Sequence, residues 1–355
     1  AGISESDVDV FAVSTLFESA PPFSDRAIYV PHHLAHCASS FYLSPYEEAT
    51  ILTIDGCGSV YESQVDTMIM GHGIGNKIFN VKTIHGGLTT EAGDMHSLPQ
   101  SHINVSNSLG VLYQNITQLI DMGYFCEGKT MGLSPYGKPN KVFDYLWELV
   151  KVDPDGNVSI NNAEIFYRSK AILTTAKSTL SSEDYFQLKA DAAYAHQIIL
   201  EECIFSLCNT LYDKTKSNNL CLSGGVALNS VANGKLTQNT PFENVFIPPA
   251  AGDNGIALGA ALYASQAIAN QPRFYRNKPF SPYTGKSYTE LSKHITECAA
   301  DEEYTVSESS DPIKTVAKLL SEGKIVGWFN GRSEIGPRSL GNRTILADPR
   351  FAEMK

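Results

Sequence analysis

Short apolar, β-branched runs alternate along this chain with segments of helical spacing, and that alternation predicts an α/β fold. Asp9–Leu16 and Ala27–Val30 read as short strands. Ala49–Ile54 (ATILTI) is an unbroken apolar run of the kind found in strands buried on both faces, and it ends at Asp55-Gly56. Val65–Met70 reads as its hairpin partner, and 71–107, rich in glycine and histidine, reads as loop. Ser108–Met122 carries Leu109, Leu112, Ile116, Leu119 and Ile120 at helical spacing. The clearest helix covers Glu183–Lys214, with an apolar stripe through Ala193, Ile199, Cys203, Ile204, Leu207 and Leu211. Asn219–Leu222 and Asn244–Ile247 read as strands, and Asn254–Ile268 as a helix closely packed through small residues. Prolines at 272, 279 and 282 mark a boundary near 270–288. Beyond it come an amphipathic helix, Ile313–Glu322, and a strand, Lys324–Phe329.

Several motifs fall at the junctions of these elements. In His32-His33-Leu34-Ala35-His36, the outer histidines are four apart and share one helix face, which suits two imidazoles on one metal. Position 33 is not Glu, so the metalloprotease form is absent, and a His-rich surface helix is the bland alternative. Asp55 stands at the carboxyl end of a strand, where α/β folds place ligand groups, although Asp-Gly is also a plain turn. Ser223-Gly224-Gly225 through Asn229 joins a strand to a helix and could bring backbone N–H groups to a phosphate, or be only a tight turn. Asp253 either caps the following helix or ligates a metal. Glu127 and Lys129, two apart, are ribose or phosphate contacts or a solvated loop. Arg332, Arg338 and Arg343 lie among three glycines and suit an oxyanion pocket, or serve as turn and salt-bridge arginines.

Composition narrows this picture. With 355 residues the chain has room for two domains, and a net charge of −11 argues against sequence-independent nucleic-acid binding. No apolar run is long enough for a membrane span. The seven cysteines are scattered and contain no CxxC pair, which argues against a disulfide framework and points to a reducing cytoplasm. The chain starts abruptly at Ala1 and ends at Lys355 without a stop signal, so both ends look cut.

Taken in order, five stretches resemble the O-carbamoyltransferase family, which includes NodU and the enzymes that carbamoylate tobramycin and cephamycin. They are VPHHLAHCASSFYLSPYEEATILTIDGCG, EGKTMGLSPYG, LSGGVALNSVANGKL, IPPAAGDNGIALGAAL and GRSEIGPRSLGNRTILADPR, together spanning 30–350. The resemblance implies an actin-like ATPase fold of the sugar kinase/actin superfamily over 1–285 and the start of a YrdC-like α/β domain over 286–355. It also implies that an N-terminal segment and most of the YrdC-like domain are missing. In the family, carbamoyl phosphate and ATP form a carbamoyl-adenylate, and the carbamoyl group passes to an acceptor hydroxyl, here of a sugar-like or secondary-metabolite molecule. By the same resemblance His32, His36, Asp55 and Asp253 ligate Fe2+ or another divalent metal, with Asp55 and Asp253 counted as catalytic. Gly224, Gly225, Asn229, Glu127 and Lys129 line the nucleotide, with Mg2+ accompanying ATP, and Arg338 and Arg332 hold carbamoyl phosphate. Ser59 departs from the family, where relatives often carry glutamate. The implied partners are small molecules, with no nucleic acid and no membrane, and a homodimer is compatible. A sugar-kinase-like phosphotransferase and a nucleotide- or metal-binding piece without turnover are the rival readings.

Overall fold

The chain divides into two compact units, Ala1–Phe280 and Ser281–Lys355. The computed structural model describes residues 4–14, 25–61, 63–90, 103–273, 280–288, 291–299 and 305–354. The first unit opens with a parallel pair, β1 (Phe11–Val13) and β2 (Ala27–Tyr29), and then helix α1 (His32–Leu43). Positions 15–16 of the expected first strand lie outside the described residues.

A seven-stranded sheet forms the centre of this unit. In chain order its first strands are β3 (Glu48–Ile54), β4 (Val60–Tyr61), β5 (Gln64–Ile74), β6 (Lys77–Thr90) and β7 (Ile103–Val105). A separate hairpin follows, β8 (Val150–Val152) with β9 (Val158–Ile160), and the sheet is completed by β10 (Asn219–Ser223) and β11 (Asn244–Phe246). The strand order is β11-β10-β3-β5-β6-β7, with β4 paired to β5. β10 runs parallel to both β11 and β3, and the remainder is antiparallel. The stretch 71–90, read as loop from sequence, is therefore a long hairpin that turns at Gly75, whose φ of 58° suits glycine. Its glycines and polar residues hid the strand. Cross-strand pairing, rather than propensity, decides its conformation.

Both faces of the sheet are covered, which is why the ATILTI run is buried throughout. On one face Leu52, Ile54, Met68 and Met70 pack with Leu112 and Ile116 of α2 (Leu109–Leu119) and Leu207 and Leu211 of the long helix. In order after α2, the helices of this unit are α3 (Glu127–Leu133), α4 (Leu146–Leu149), α5 (Asn162–Thr179), α6 (Ser182–Thr215), α7 (Ser230–Asn233), α8 (Leu236–Asn239) and α9 (Ile256–Leu262). On the other face Ile51, Ile69 and Cys221 pack with Phe41 and Tyr42 of α1 and Leu262 of α9. The helix expected over 254–268 begins as a 3-10 turn, Asp253–Gly255, continues as α9 and widens into π turns over Tyr263–Ile268.

The second unit holds α10 (Leu291–Ala299), α11 (Pro312–Ser321) and an antiparallel pair, β12 (Val326–Phe329) with β13 (Arg343–Leu346). Asp311 caps α11 by accepting from Lys314 N–H, and Pro312 occupies the first turn. Among the described residues no helix is long and apolar enough to cross a membrane.

Candidate metal centre

Three chain segments converge at the carboxyl ends of β3 and β10. Helix α1 starts immediately after Pro31, so His32 and His36 stand one turn apart on the same side. The backbone N–H of His32 donates to Ser59 Oγ (3.1 Å), which ties the helix start to the loop after β3. Asp55 leads that loop. Its Oδ1 accepts from the N–H of Gly56 (2.7 Å), completing the Asp-Gly turn, while Oδ2 faces the histidines. Asp253 is the first residue of the 3-10 turn before α9. The cap positions there belong to Gly252 and Gly255, so Asp253 is not a cap, and its carboxylate is turned toward the same imidazoles.

The donor atoms of His32, His36, Asp55 and Asp253 all lie within 4.8 Å of one another. Nε2 of His36 is 2.8 Å from Asp55 Oδ2 and 3.4 Å from Asp253 Oδ1; Nε2 of His32 is 3.5 and 3.6 Å from the same oxygens. Ligand atoms ~2.1 Å from one ion are roughly 3.0 Å apart in an octahedron and roughly 3.4 Å apart in a tetrahedron. The four histidine–carboxylate edges, 2.8–3.6 Å, bracket those values. Although these atoms are close, Nε2 of both histidines and Oδ2 of Asp55 are buried without an aligned hydrogen-bond partner. Buried polar atoms are rarely left so, and an ion at their centre satisfies all three at once. The residues therefore fit a divalent metal, with two nitrogens and two carboxylate oxygens. Asp253, 70% exposed at its side chain against 14% for Asp55, forms the open side.

Electrostatics follow from the same packing. Burial alone would depress His36, but Asp253 and Asp55 outweigh it and push its pKa up to about 9. Burial raises Asp55, and His32 and His36 overcome that to hold it well below the usual carboxylate range. His33 points elsewhere. Burial pushes it down to about 3, so it is neutral, and it fills the space that Gly58 leaves, where a Cβ would stand 2.1 Å from Nδ1.

Close backbone approach makes this convergence possible. A Cβ on Gly259 of α9 would stand 1.9 Å from the carbonyl oxygen of Ala35 in α1. One on Gly110 of α2 would stand 2.7 Å from the carbonyl of Asp55, and Ser108, the cap of α2, also donates to Gly56 O (2.6 Å). Gly224, at φ 90°, lies against Ile54 O, and a Cβ on Gly225 would be 2.9 Å from Asp55 Oδ1. The glycine loop thus lies directly beside the metal ligands.

The other candidates are placed as follows. Asn229 is buried, exchanges hydrogen bonds with Gln197 through both amide atoms, and accepts from Ala232 N–H, so its side chain holds the loop. Tyr113 donates to Gln197, Gln197 to Glu201, and Lys235 pairs with Glu201 at 2.6 Å. This network behind the loop was missed in the sequence. Its signal was two polar residues four apart, Gln197 and Glu201, within an apolar helix stripe. Glu127 and Lys129 sit in the first turn of α3, which nears the loop where Ser230 Oγ meets Met131 Sδ (3.6 Å). In the second unit Arg332 donates to the carbonyls of Thr284 and Gly285, and Arg343 to those of Asn330, Gly331 and Asn342. Both arginines hold turns. Glu334 Oε1 accepts from the N–H groups of Leu340, Asn342 and Arg343, which lower its pKa to about 2 against a rise from burial.

The family model described as Carbamoyltransferase N-terminus matches residues 12–262, and Carbamoyltransferase C-terminus matches 317–355. The uncharacterised protein sll1178 of Synechocystis sp. is 34% identical over 345 residues, covering 92% of this chain and 52% of that protein. Nodulation protein NolO of Bradyrhizobium diazoefficiens is 32% identical over 328 residues, 91% of this chain and 54% of that one. A crystal structure of full-length HypF in its phosphate- and nucleotide-bound form aligns over 68% of this chain and 36% of its own, at TM-score 0.47 and 16% identity. The chain spans about half the length of the curated relatives it matches. All four metal-fitting residues and the glycine loop fall inside the first family match, and the chain belongs to the carbamoyltransferase family.

Proposed function

We propose that this protein transfers a carbamoyl group to a hydroxyl of a sugar-like or secondary-metabolite acceptor, by way of a carbamoyl-adenylate made from carbamoyl phosphate and ATP. The observation that carries the reading is the cluster of four converging donors, three of them buried without an aligned hydrogen-bond partner, inside a carbamoyltransferase match. In this reading the actin-like ATPase domain is 1–285, and 286–355 begins a YrdC-like domain. His32, His36, Asp55 and Asp253 hold the metal, ferrous iron or another divalent ion. When bound, it supplies Lewis-acid polarisation of the carbamoyl carbonyl. Asp55 and Asp253 fix its charge, and His33 packs behind them as a neutral ring. Gly224 and Gly225 bring backbone to the nucleotide phosphates, and Asn229 keeps that loop in shape from behind. Glu127 and Lys129 approach the nucleotide from α3, and Mg2+ accompanies ATP. Arg338 takes the carbamoyl phosphate. Arg332, engaged with two carbonyls, shapes the loop that presents it.

The test supplies the metal-loaded protein with ATP, radiolabelled carbamoyl phosphate and D-glucosamine as hydroxyl probe, and follows label on the sugar. Label that needs both ATP and carbamoyl phosphate, and disappears in His32→Ala/His36→Ala, is expected. Phosphorylated sugar formed from ATP alone would instead establish a phosphotransferase. Undiminished carbamoylation in the double variant would refute the metal-centred reading.

A further inference from the structure

Beside the metal cluster lies a second pair of titratable groups that none of the chemistry above uses. Nδ1 of His85 on β6 is 2.9 Å from Oδ1 of Asp66 on β5. The carboxylate is buried, 6% exposed at its side chain, while the imidazole is 44% exposed. The two residues face each other directly across the strands, at a register shift between Asp66 and Met68 that inserts Thr67 as an extra residue. Bulges of this kind re-aim side chains and cluster near active sites.

The pair is also tied to the metal loop. Asp66 exchanges backbone hydrogen bonds with it: Gly58 N–H donates to Asp66 O (2.7 Å), and Asp66 N–H donates to Ser59 O (3.1 Å). The same Ser59 receives the N–H of His32. The titratable groups acting on the Asp66 carboxylate are His85 from β6, in contact with it, His32 from α1, through charge, and Tyr61 from β4, which lowers its pKa as a hydrogen-bonding group. Asp66 Oδ1, buried without an aligned hydrogen bond, meets the half-exposed imidazole through this close ion-pair contact, which leaves the outer nitrogen available, the arrangement of an oriented base.

We propose that His85, positioned by Asp66, is the base that takes the proton of the acceptor hydroxyl. This rests on the carbamoyl-transfer reading. In the step, the acceptor O–H bond breaks and its proton moves to Nε2 of His85. The freed electron pair of the oxygen forms the C–O bond to the carbamoyl carbon. The bond from that carbon to the phosphate oxygen of the adenylate breaks, and its electron pair leaves on the phosphate. Asp66 receives no proton. It holds Nδ1–H and stabilises the imidazolium.

The experiment compares wild type, His85→Ala and Asp66→Asn, each metal-loaded, with ATP, radiolabelled carbamoyl phosphate and D-glucosamine. His85→Ala is expected to keep wild-type metal content and lose transfer by about 10²–10⁴-fold, the usual range for a positioned base. Added imidazole should restore part of that loss. Transfer within threefold of wild type would overturn the proposal, as would a loss that imidazole does not relieve or that tracks a loss of metal. Wild-type protein that labels no acceptor would refute the transfer reading instead. The dyad is then judged by imidazole NMR, where a ring protonated on Nε2 and bare on Nδ1 at neutral pH would refute the oriented base.

Discussion

Gly259→Ala is the sharpest test of how the metal ligands are brought together. Helices α1 and α9 cross where Gly259 lies against Ala35, and each helix carries part of the ligand set: His32 and His36 on α1, and Asp253 one short turn before α9. A Cβ at position 259 would stand 1.9 Å from the Ala35 carbonyl oxygen, and real Cβ atoms essentially never come within 3.0 Å. The helices must therefore part by about 1.1 Å, whereas metal–ligand distances tolerate about 0.2 Å. Outer-shell disturbances alone cost about 10–100-fold in metal affinity, so a displacement of a ligand pair should cost at least that. Overpacking costs about 1–3 kcal/mol in stability, partly offset by the ~1 kcal/mol that alanine gains over glycine in a helix, so the variant should remain folded. Anaerobic titration with Fe2+, and with Co2+ as a spectroscopic substitute, reads the affinity, while far-UV circular dichroism checks the fold. Gly132→Ala in α3, where an added Cβ meets nothing within 4 Å, is the control and should bind as wild type. Wild-type metal affinity in a folded Gly259→Ala protein would refute the argument that close helix approach assembles the site.

Three other outcomes follow from the same structure. His196 is fully buried, donates to Ala192 O through Nδ1 (2.8 Å), and is pushed down to about 4 by burial. The unfolded chain takes up that proton near pH 6.5, so stability is complete above 6.5 and falls by about 3 kcal/mol as pH drops to 4. Urea unfolding across that range should show a shallower pH slope in His196→Gln, and an unchanged slope would contradict the assignment. Gln197→Leu leaves the buried Tyr113 hydroxyl, the Asn229 amide and one Glu201 oxygen short of a partner. At about 1–3 kcal/mol per orphaned group, a loss of 3 kcal/mol or more is expected by denaturant titration, and under 1 kcal/mol would refute it. Ser108→Ala removes both the α2 cap and the bond to Gly56 O, and should cost about 1 kcal/mol and weaken metal binding through Asp55. Metal affinity identical to wild type would show that the Asp55 loop holds its position without the serine.

Much of the fold was legible because its strongest signals are local. The 34-residue α6 carries its cap at Ser181, its apolar stripe and a left-handed stop at Lys216, all set by neighbouring residues. The ATILTI strand was legible because burial on both faces removes alternation. The hairpin over 71–90 was not legible. Its glycines and polar residues carry weak strand propensity, and β5 supplies the pairing that fixes it. The π turns over Tyr263–Ile268 were likewise invisible, since the small-residue pattern is the same for an α-helix.

The candidate site shows a different division. Residue type and spacing marked His32 and His36 as a candidate ligand pair, because imidazoles four apart are readable on one element, but left Asp55 between turn and ligand and Asp253 between cap and ligand; only the family resemblance joined the four. What joins them is not readable that way. Gly259, Gly110 and Gly225 matter through the backbone or side-chain atoms they admit, and those atoms belong to residues 224, 55 and 170 positions distant in the chain. Asn229 illustrates the consequence. From sequence it belongs with the nucleotide loop. In the fold its amide is fully engaged with Gln197 and Ala232, so it shapes the loop that Gly224 and Gly225 present. Arg332 behaves likewise, with its guanidinium on carbonyls. A motif therefore mixes residues that meet the ligand with residues that hold those in place, and only the partner of each polar atom separates the two. Other buried side chains also hold atoms without an aligned partner, but in His32, His36 and Asp55 such atoms converge on one point beside the Asp253 carboxylate, and that convergence marks them as awaiting something from outside the chain.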